Sequence, residues 1–533
     1  MSRFSRDALL WLALLTVLAG VALGSRPLTP IDETRYVSVA WEMWLRGDFL
    51  VPYINGEPYS HKPPFLMWTI HAGWALFGVN EWWPRIISAL FSFGSLLLVA
   101  RLARRLWPDR EATASLAPLM VLGSLLWALF STATMFDILL AFWVLVGANG
   151  IWEARHGRAT GWFWLVLSIG LGVLTKGPVV LLHLLPLALL APWWAKGRVG
   201  ERRWYGGVLL VVLGGSAIAL AWAIPAALSG GEAYARAIFW GQTADRVADS
   251  FAHKRAWWWY LPTLPVILFP WFVWPPAWKA LFRPGGDGES GVRFCIAWMV
   301  PVFVGFSLIS GKQLHYLLPL FPPFALLVAR GLAADEVRCG WKAQLLPSLA
   351  LVALATVLVS IHRITDAGDL PEGALAISVW VPLLILLLAL SLPLPWRVVA
   401  ASERVVHLAL SSIALLVVLH LGVVRVLSPA YDVRPAARLL NRLQQQGVEI
   451  AHVGKYHDQY HFPGRLESPL EVLGRHQVPE WVRRHPEGVI VQEPKKPRPL
   501  VNEEPLHQQP YRSRVIEIWR ARQILRHPEL VRK

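Results

Sequence analysis

Thirteen apolar runs separated by short polar stretches constrain this chain more than any other feature. They lie near residues 8–24, 86–106, 113–130, 134–152, 161–175, 178–195, 206–228, 258–282, 294–310, 314–331, 344–361, 374–394 and 404–426. A helical stretch of about 17 to 25 apolar residues matches the hydrocarbon thickness of a bilayer and satisfies its own backbone there. With 55% hydrophobic residues, 30 Trp and 16% charged residues, the chain is too apolar for a soluble protein of 533 residues. The expected fold class is an α-helical polytopic membrane protein. Its first run follows the basic start "MSRFSR" without an A-x-A site behind it, so it reads as an uncleaved helix.

The formal net charge of +16 suits nucleic acid in principle, but the Lys and Arg residues fall in clusters between apolar runs. Arg101, Arg104, Arg105 and Arg110 follow the second run, Arg155 and Arg158 the fourth, and Lys196, Arg198, Arg202 and Arg203 the sixth. Arg283 and Arg293 follow the eighth, Arg338 and Lys342 the tenth, and Arg397 the twelfth. Cytoplasmic loops carry the basic excess, so every even-numbered exit is expected in the cytoplasm, with the N-terminus, and no nucleic acid partner is expected. An odd number of runs then places residues 427–533 on the other side as a separate domain from 1–426. The strand-like pieces "VEIAHVG" and "EGVIVQE" predict that this tail is a small α/β domain. Cys295 and Cys339 form neither a metal nor a disulfide framework.

The odd-numbered exits differ in chemistry from the even ones. The first is a loop over residues 25–85 that holds "PIDETRY" and "EPYSHKPPF"; the second contains "TMFD", ending at Asp137. The third is "TKGP", with Lys176; the fourth holds "FAHKRAWWWYLP", with His253; the fifth is "SGKQLHY", with Lys312, His315 and Tyr316. Loops remote in sequence but gathered on one face are how a polytopic chain builds a site at the lipid–water boundary, so a site is expected on that face.

In the first loop, Val37, Ala40, Trp41 and Trp44 fall at i, i+3, i+4 and i+7, and Glu42 and Arg46 form an i,i+4 pair. This pattern predicts an amphipathic interfacial helix that Asp32 or Thr34 can cap. Capping accounts for one acidic residue, but Asp32 and Glu33 are adjacent and lead into Arg35 and Tyr36, so a proton-accepting carboxylate stands equally open. In "YSHKPPF", Pro63 and Pro64 suit a helix start, which puts His61 and Lys62 just ahead of a helix N-terminus, where an anion such as phosphate is favoured. Lys62, Lys176 and Lys312 are open to two readings, as snorkelling anchors or as phosphate contacts opposed to Asp32, Glu33 and Asp137. His61 and His253 are candidates to hold a divalent metal, although no local ligand spacing connects them; no other cofactor is expected.

In "DETRY", "GDFLVPYINGEPYSHKPPF", "FGVNEWWPR", "TKGP", "HKRAWWWYLP" and "KQLHYLLPLFPPFALL", the chain resembles the bacterial ArnT-like glycosyltransferases, the aminoarabinose transferases of lipid A, within the protein-mannosyltransferase superfamily of GT-C fold. The resemblance implies about thirteen membrane helices, interfacial helices in the first periplasmic loop and an outer C-terminal domain. It implies an inner-membrane glycosyltransferase that moves a sugar from a polyprenyl phosphate, typically undecaprenyl phosphate, to lipid A or another envelope acceptor. Asp32 then matches the catalytic carboxylate. Arg35, Lys62 and Lys312 match phosphate contacts, Asp137 and Lys176 cavity residues, and Glu33, His61, His253, His315 and Tyr316 complete the expected substrate contacts. This chain reads "HKPP" where the aminoarabinose transferases commonly read "EKPP". Two other readings compete: a protein O-mannosyltransferase-like enzyme, and a lipid-linked sugar flippase. A flippase should show midplane charges and internal repeats, whereas this chain has no evident repeat and keeps its polar motifs on one face.

Overall fold

The computed structural model describes residues 3–195, 200–241, 254–283, 289–333, 337–361, 376–495 and 503–531. The chain is predominantly helical. It opens with α1 (Arg3–Ser25), α2 (Asp32–Arg46), α3 (Phe65–Phe77), α4 (Trp82–Leu106), α5 (Glu111–Leu122), α6 (Leu125–Phe130), α7 (Phe136–Arg155), α8 (Ala159–Lys176) and α9 (Val179–Leu189). Among the described residues, nine helices are long and apolar enough to cross a membrane. They fall in nine of the thirteen apolar runs read from the sequence.

The other four runs are interrupted or short, and three of the interruptions carry a turn or Pro signal. Residues 113–130 divide at Gly123 and Ser124 into α5 and α6, and 178–195 divide after Pro186 into α9 and Ala191–Trp194. Residues 258–282 become Tyr260–Ile267, Trp271–Val273 and Pro275–Leu281, with Pro265, Pro270 and Pro275 near the breaks. The twelfth run holds the 12-residue helix Trp380–Ser391.

Antiparallel packing of α7 on α8 brings the start of one beside the end of the other. Glycines set the spacing: a Cβ on Gly161 would stand 2.3 Å from the backbone nitrogen of Ala154 and 2.5 Å from the carbonyl oxygen of Gly150. Small residues permit this approach where helices pack without a hydrophobic driving force between them. Helix α8 ends at Lys176 because Gly177 turns to φ +80° and Pro178 takes the cap position of α9.

The even-numbered exits meet at one end. Arg101 donates to Glu153 at 2.8 Å and Arg105 pairs with the same carboxylate. Arg155 donates to the carbonyl of Ala195 at 3.0 Å, Arg110 to that of Arg330 at 3.2 Å, and Arg330 to that of Arg283 at 3.2 Å.

The first loop carries the hairpin β1 (Tyr53–Ile54) and β2 (Glu57–Pro58), and a second short pair joins β3 (Arg338–Cys339) to β4 (Val399–Ala400). The C-terminal segment forms a five-stranded sheet of β5 (Ile450–Val453), β6 (Glu471–Leu473), β7 (Val489–Gln492), β8 (His507–Tyr511) and β9 (Arg514–Arg520), in the order β6-β5-β7-β9-β8. Strand β5 runs parallel to β6 and β7, and β9 runs antiparallel to β7 and β8. Strands β5 and β7 form where "VEIAHVG" and "EGVIVQE" mark them. Helices Arg434–Gln445, Val478–Arg484 and Ala521–Arg526 accompany the sheet.

Candidate active site

Helix α2 is held between the helical part and the C-terminal segment. Its apolar face buries Val37, Ala40 and Trp41, as the spacing predicts, and Glu42 pairs with Arg46 at 2.8 Å. What covers that face is protein: Trp41 donates to the carbonyl of Leu466 at 2.9 Å, Ser38 to that of Asp458 at 2.8 Å, and Phe462 stacks on Trp74 of α3 at 5.2 Å. The main-chain nitrogen of Asn55 also donates to Asp458 Oδ2 at 2.8 Å. Burial pushes the Asp458 carboxyl up to about 7, with the Asn55 bond opposing.

Neither candidate cap residue caps α2. Ile31 occupies the cap position with no side-chain bond, Asp32 is the first helical residue, and Thr34 Oγ1 donates to the carbonyl of Ile31 at 3.2 Å. The two adjacent carboxylates have separate surroundings. The Asp32 side chain is 52% exposed, pairs with Arg35 and accepts from the Tyr36 hydroxyl at 3.3 Å. Burial, then the negative charge of Asp32, pushes the Tyr36 phenol up, which keeps it a donor. Glu33 is 4% exposed and pairs with Arg26 at the end of α1, while Glu33 also accepts from the main-chain nitrogens of Thr29 and Thr134, each at 2.8 Å. Burial alone would raise the Glu33 carboxyl, but Arg26 and these bonds outweigh it and hold the group below the usual carboxylate range. Arg26 donates also to the carbonyl of Thr132 at 3.0 Å, so this pair ties the first odd-numbered exit to the second.

A second cluster joins the second, third and fifth of the odd-numbered exits to the first. Lys176 at the end of α8 pairs with Asp137 at the start of α7, and Lys176 Nζ lies 4.6 Å from the Tyr316 ring. His315 Nε2 stands 4.0 Å from Asp137 Oδ2 and is in electrostatic contact with Lys176, Asp32 and Lys62 as well. Lys62 Nζ lies 5.6 Å from the ring of Phe136, which meets Tyr36 edge-on at 4.8 Å. The structure therefore gathers Asp32, Arg35, Lys62, Asp137, Lys176, His315 and Tyr316 from four different exits. A carboxylate accessible beside several cations can take a proton or orient a nucleophile while the cations hold an anion.

The other sequence candidates lie differently. Glu33 belongs to the clamp with Arg26. Lys312, buried beside Tyr260 and the 254–256 stretch, donates to the carbonyls of Arg255, at 3.2 Å, and Ile309. His61 is exposed and packs its ring 5.4 Å from Tyr59, and His253 lies outside the described residues. Among the described residues no group of three or more His, Cys, Asp or Glu is placed to hold a metal ion. Sequence reasoning missed Arg26 and His457, which is in electrostatic contact with Arg35 and Asp32. Arg26, the basic residue directly after the first apolar run, offered a faint signal; His457, more than 400 positions from α2, offered none.

The family model for dolichyl-phosphate-mannose-protein mannosyltransferase matches residues 28–207, which contain most of these side chains. In fold, the chain is similar to the solved structure of ArnT from Cupriavidus metallidurans bound to undecaprenyl phosphate, with TM-score 0.78 and 20% identity over 96% of this chain and 97% of that one. It is 35% identical over 346 residues to undecaprenyl phosphate-alpha-4-amino-4-deoxy-L-arabinose arabinosyl transferase 2 of Pseudomonas fluorescens, a match that covers 63% of this chain and only 61% of that relative's length. The enzyme of the same description from Edwardsiella ictaluri is 31% identical over 390 residues, 68% of each chain. On that match across more than two thirds of a relative, the chain belongs to the ArnT-like family of undecaprenyl phosphate-alpha-4-amino-4-deoxy-L-arabinose arabinosyl transferases, of GT-C fold.

Proposed function

We propose that this chain is an inner-membrane glycosyltransferase that moves an aminoarabinose-type sugar from undecaprenyl phosphate to lipid A or another envelope acceptor. The observation that carries the reading is the accessible carboxylate of Asp32, paired with Arg35 and sharing His315 as an electrostatic neighbour with Lys62 and Lys176. In this reading the even-numbered exits and the N-terminus are cytoplasmic, and the site and the domain of residues 427–533 are periplasmic, beside a membrane domain of residues 1–426 with thirteen crossings. The Lys and Arg clusters at the even exits support that orientation.

The chemistry is a direct displacement with inversion. The acceptor oxygen forms a bond to the anomeric carbon as the bond from that carbon to the lipid-phosphate oxygen breaks. The pair of electrons leaves with the phosphate, whose charge Lys62, Arg35 and Lys176 stabilise. A hydroxyl acceptor gives its proton to Asp32; an ionised phosphate acceptor needs only to be positioned. Glu33 and Arg26 hold α2 in place, and grooves between the helices accept the prenyl tail.

The test is mass spectrometry of lipid A and envelope glycoconjugates from cells with the gene, without it, and with Asp32→Asn. Loss of one sugar in both the deletion and Asp32→Asn supports the reading. Full modification with Asp32→Asn removes the catalytic role of this residue, and an unchanged set of glycoconjugates in the deletion removes the transferase reading. A sugar lost from protein hydroxyls instead of lipid A moves the acceptor to the mannosyltransferase-like alternative.

A further inference from the structure

A cavity of about 560 Å³, within the range of small-molecule sites, lies at the carboxyl ends of β5 and β7. Strand β5 is the point at which the strand order reverses. The chain leaves β5 for β6 on one side and returns through Val478–Arg484 to β7 on the other. In open α/β sheets the crevice outside the strand ends at such a point is where ligands sit.

The lining has a clear charge sense. Lys455 follows β5, Arg475 follows β6, and Arg512 and Arg514 come from the β8–β9 turn and the start of β9. Among the described residues none of these four cations is in an ion pair. Glu493, the carboxylate that lines the cavity, already accepts from Gln459 at 2.8 Å and Tyr460 at 3.0 Å. His452, 1% exposed, also lines the cavity, with Nε2 3.7 Å from Glu493 Oε1 and so beyond hydrogen-bond length.

The cavity also adjoins the candidate active site. Ile31, the residue before Asp32, lines it, and so does His457, which is in electrostatic contact with both Asp32 and Arg35. Asp32 therefore shares His315 as a neighbour with Lys62 and Lys176, and His457 with Lys455 of the cavity. Lys62 and Lys176 stand on the side of the apolar helices, where a prenyl phosphate fits. The lining of the sheet cavity is mostly polar and basic, so it suits a water-soluble anionic head.

We propose that this cavity binds the phosphorylated saccharide head of the acceptor and holds it beside Asp32. The proposal rests on the transferase reading above, and it assigns the C-terminal sheet a part in acceptor recognition. Phosphate on a sugar and free phosphate share the chemistry that the four cations select, and the probes separate them.

The experiment uses the full chain in detergent, with glucosamine 1-phosphate and inorganic phosphate as binding probes. The expected result is that glucosamine 1-phosphate binds at least about tenfold more tightly than inorganic phosphate, and that Lys455→Gln with Arg512→Gln weakens it about tenfold. Arg475→Gln alone serves as a second variant should the pair fold poorly. In transfer assays the KM for the acceptor rises about tenfold while kcat and the KM for the donor stay unchanged. Equal affinity for inorganic phosphate, unchanged binding in the variants, or an unchanged acceptor KM overturns the proposal. If the wild-type chain transfers no sugar but still binds glucosamine 1-phosphate through these residues, the transferase reading fails and the anion site stands.

Discussion

Asp32 and Glu33 are neighbours in sequence and differ in nearly everything else. One is half exposed and paired with a residue of its own helix; the other is buried against Arg26, Thr29 and Thr134. Substituting them should separate function from folding. Asp32→Asn is expected to abolish transfer with little change in apparent Tm, whereas Glu33→Gln leaves a buried guanidinium without its counter-charge and is expected to cost about 3–5 kcal/mol. Thermal unfolding of both purified variants checks this contrast. Asp458 gives a pH dependence of known sign. Its folded-state value, about 7, lies above that of an unfolded aspartate, so folding favours the protonated form. Stability from this group is fully present below about pH 4, falls as pH rises towards 7 and is level above that. His461, 3.5 Å from Asp458 Oδ1, is itself pushed down to about 4 by burial, so it stays neutral across that interval; Glu42 adds a like charge nearby. Asp458→Asn is expected to raise the apparent Tm at pH 8 and to flatten its decline between pH 5 and 7.5, with a ceiling of about 4 kcal/mol. A parallel decline in both proteins contradicts it.

At the scale of elements, helix α7 against α8 sets the spacing of Asp137 and Lys176. Gly161→Val forces a side chain into the backbone of α7 and is expected to cost about 1–3 kcal/mol and to lower transfer in proportion to folded protein. A variant that melts normally and transfers normally would show that this crossing tolerates more space than the backbone positions allow. Much of this level was readable in the sequence. Apolar length located nine helices and "TKGP" located the end of α8, whereas the period of α2 picked out Val37, Ala40 and Trp41 but not the burial of Ser38, Val39 and Met43 on its other sides. Elsewhere the signal was missing for physical reasons. Hydropathy cannot tell a continuous apolar helix from one divided at Gly123 or Leu190, because the dividing residues sit within runs of the same composition. The burial of α2 under Phe462 and Leu466 depends on contacts across more than 400 residues. Strand β8 escaped notice because "HQQPY" is polar and contains Pro510, which an edge strand tolerates.

In the whole molecule, two separate ends emerge from alternating loops. Basic exits join each other through Glu153, Ala195 and Arg330, and polar exits meet around Asp137 and Glu33. The alternation of Lys and Arg along the sequence marks this division. What the sequence could not indicate is that the C-terminal sheet closes over the polar end, since no local pattern in residues 427–533 points at α2. The central claim is that this end transfers a sugar with Asp32 as its carboxylate. Mass spectrometry of lipid A from cells that carry the intact gene, its deletion or Asp32→Asn tests it most directly. The account predicts one sugar present with the intact gene and absent from both others; full modification in the Asp32→Asn cells would contradict it.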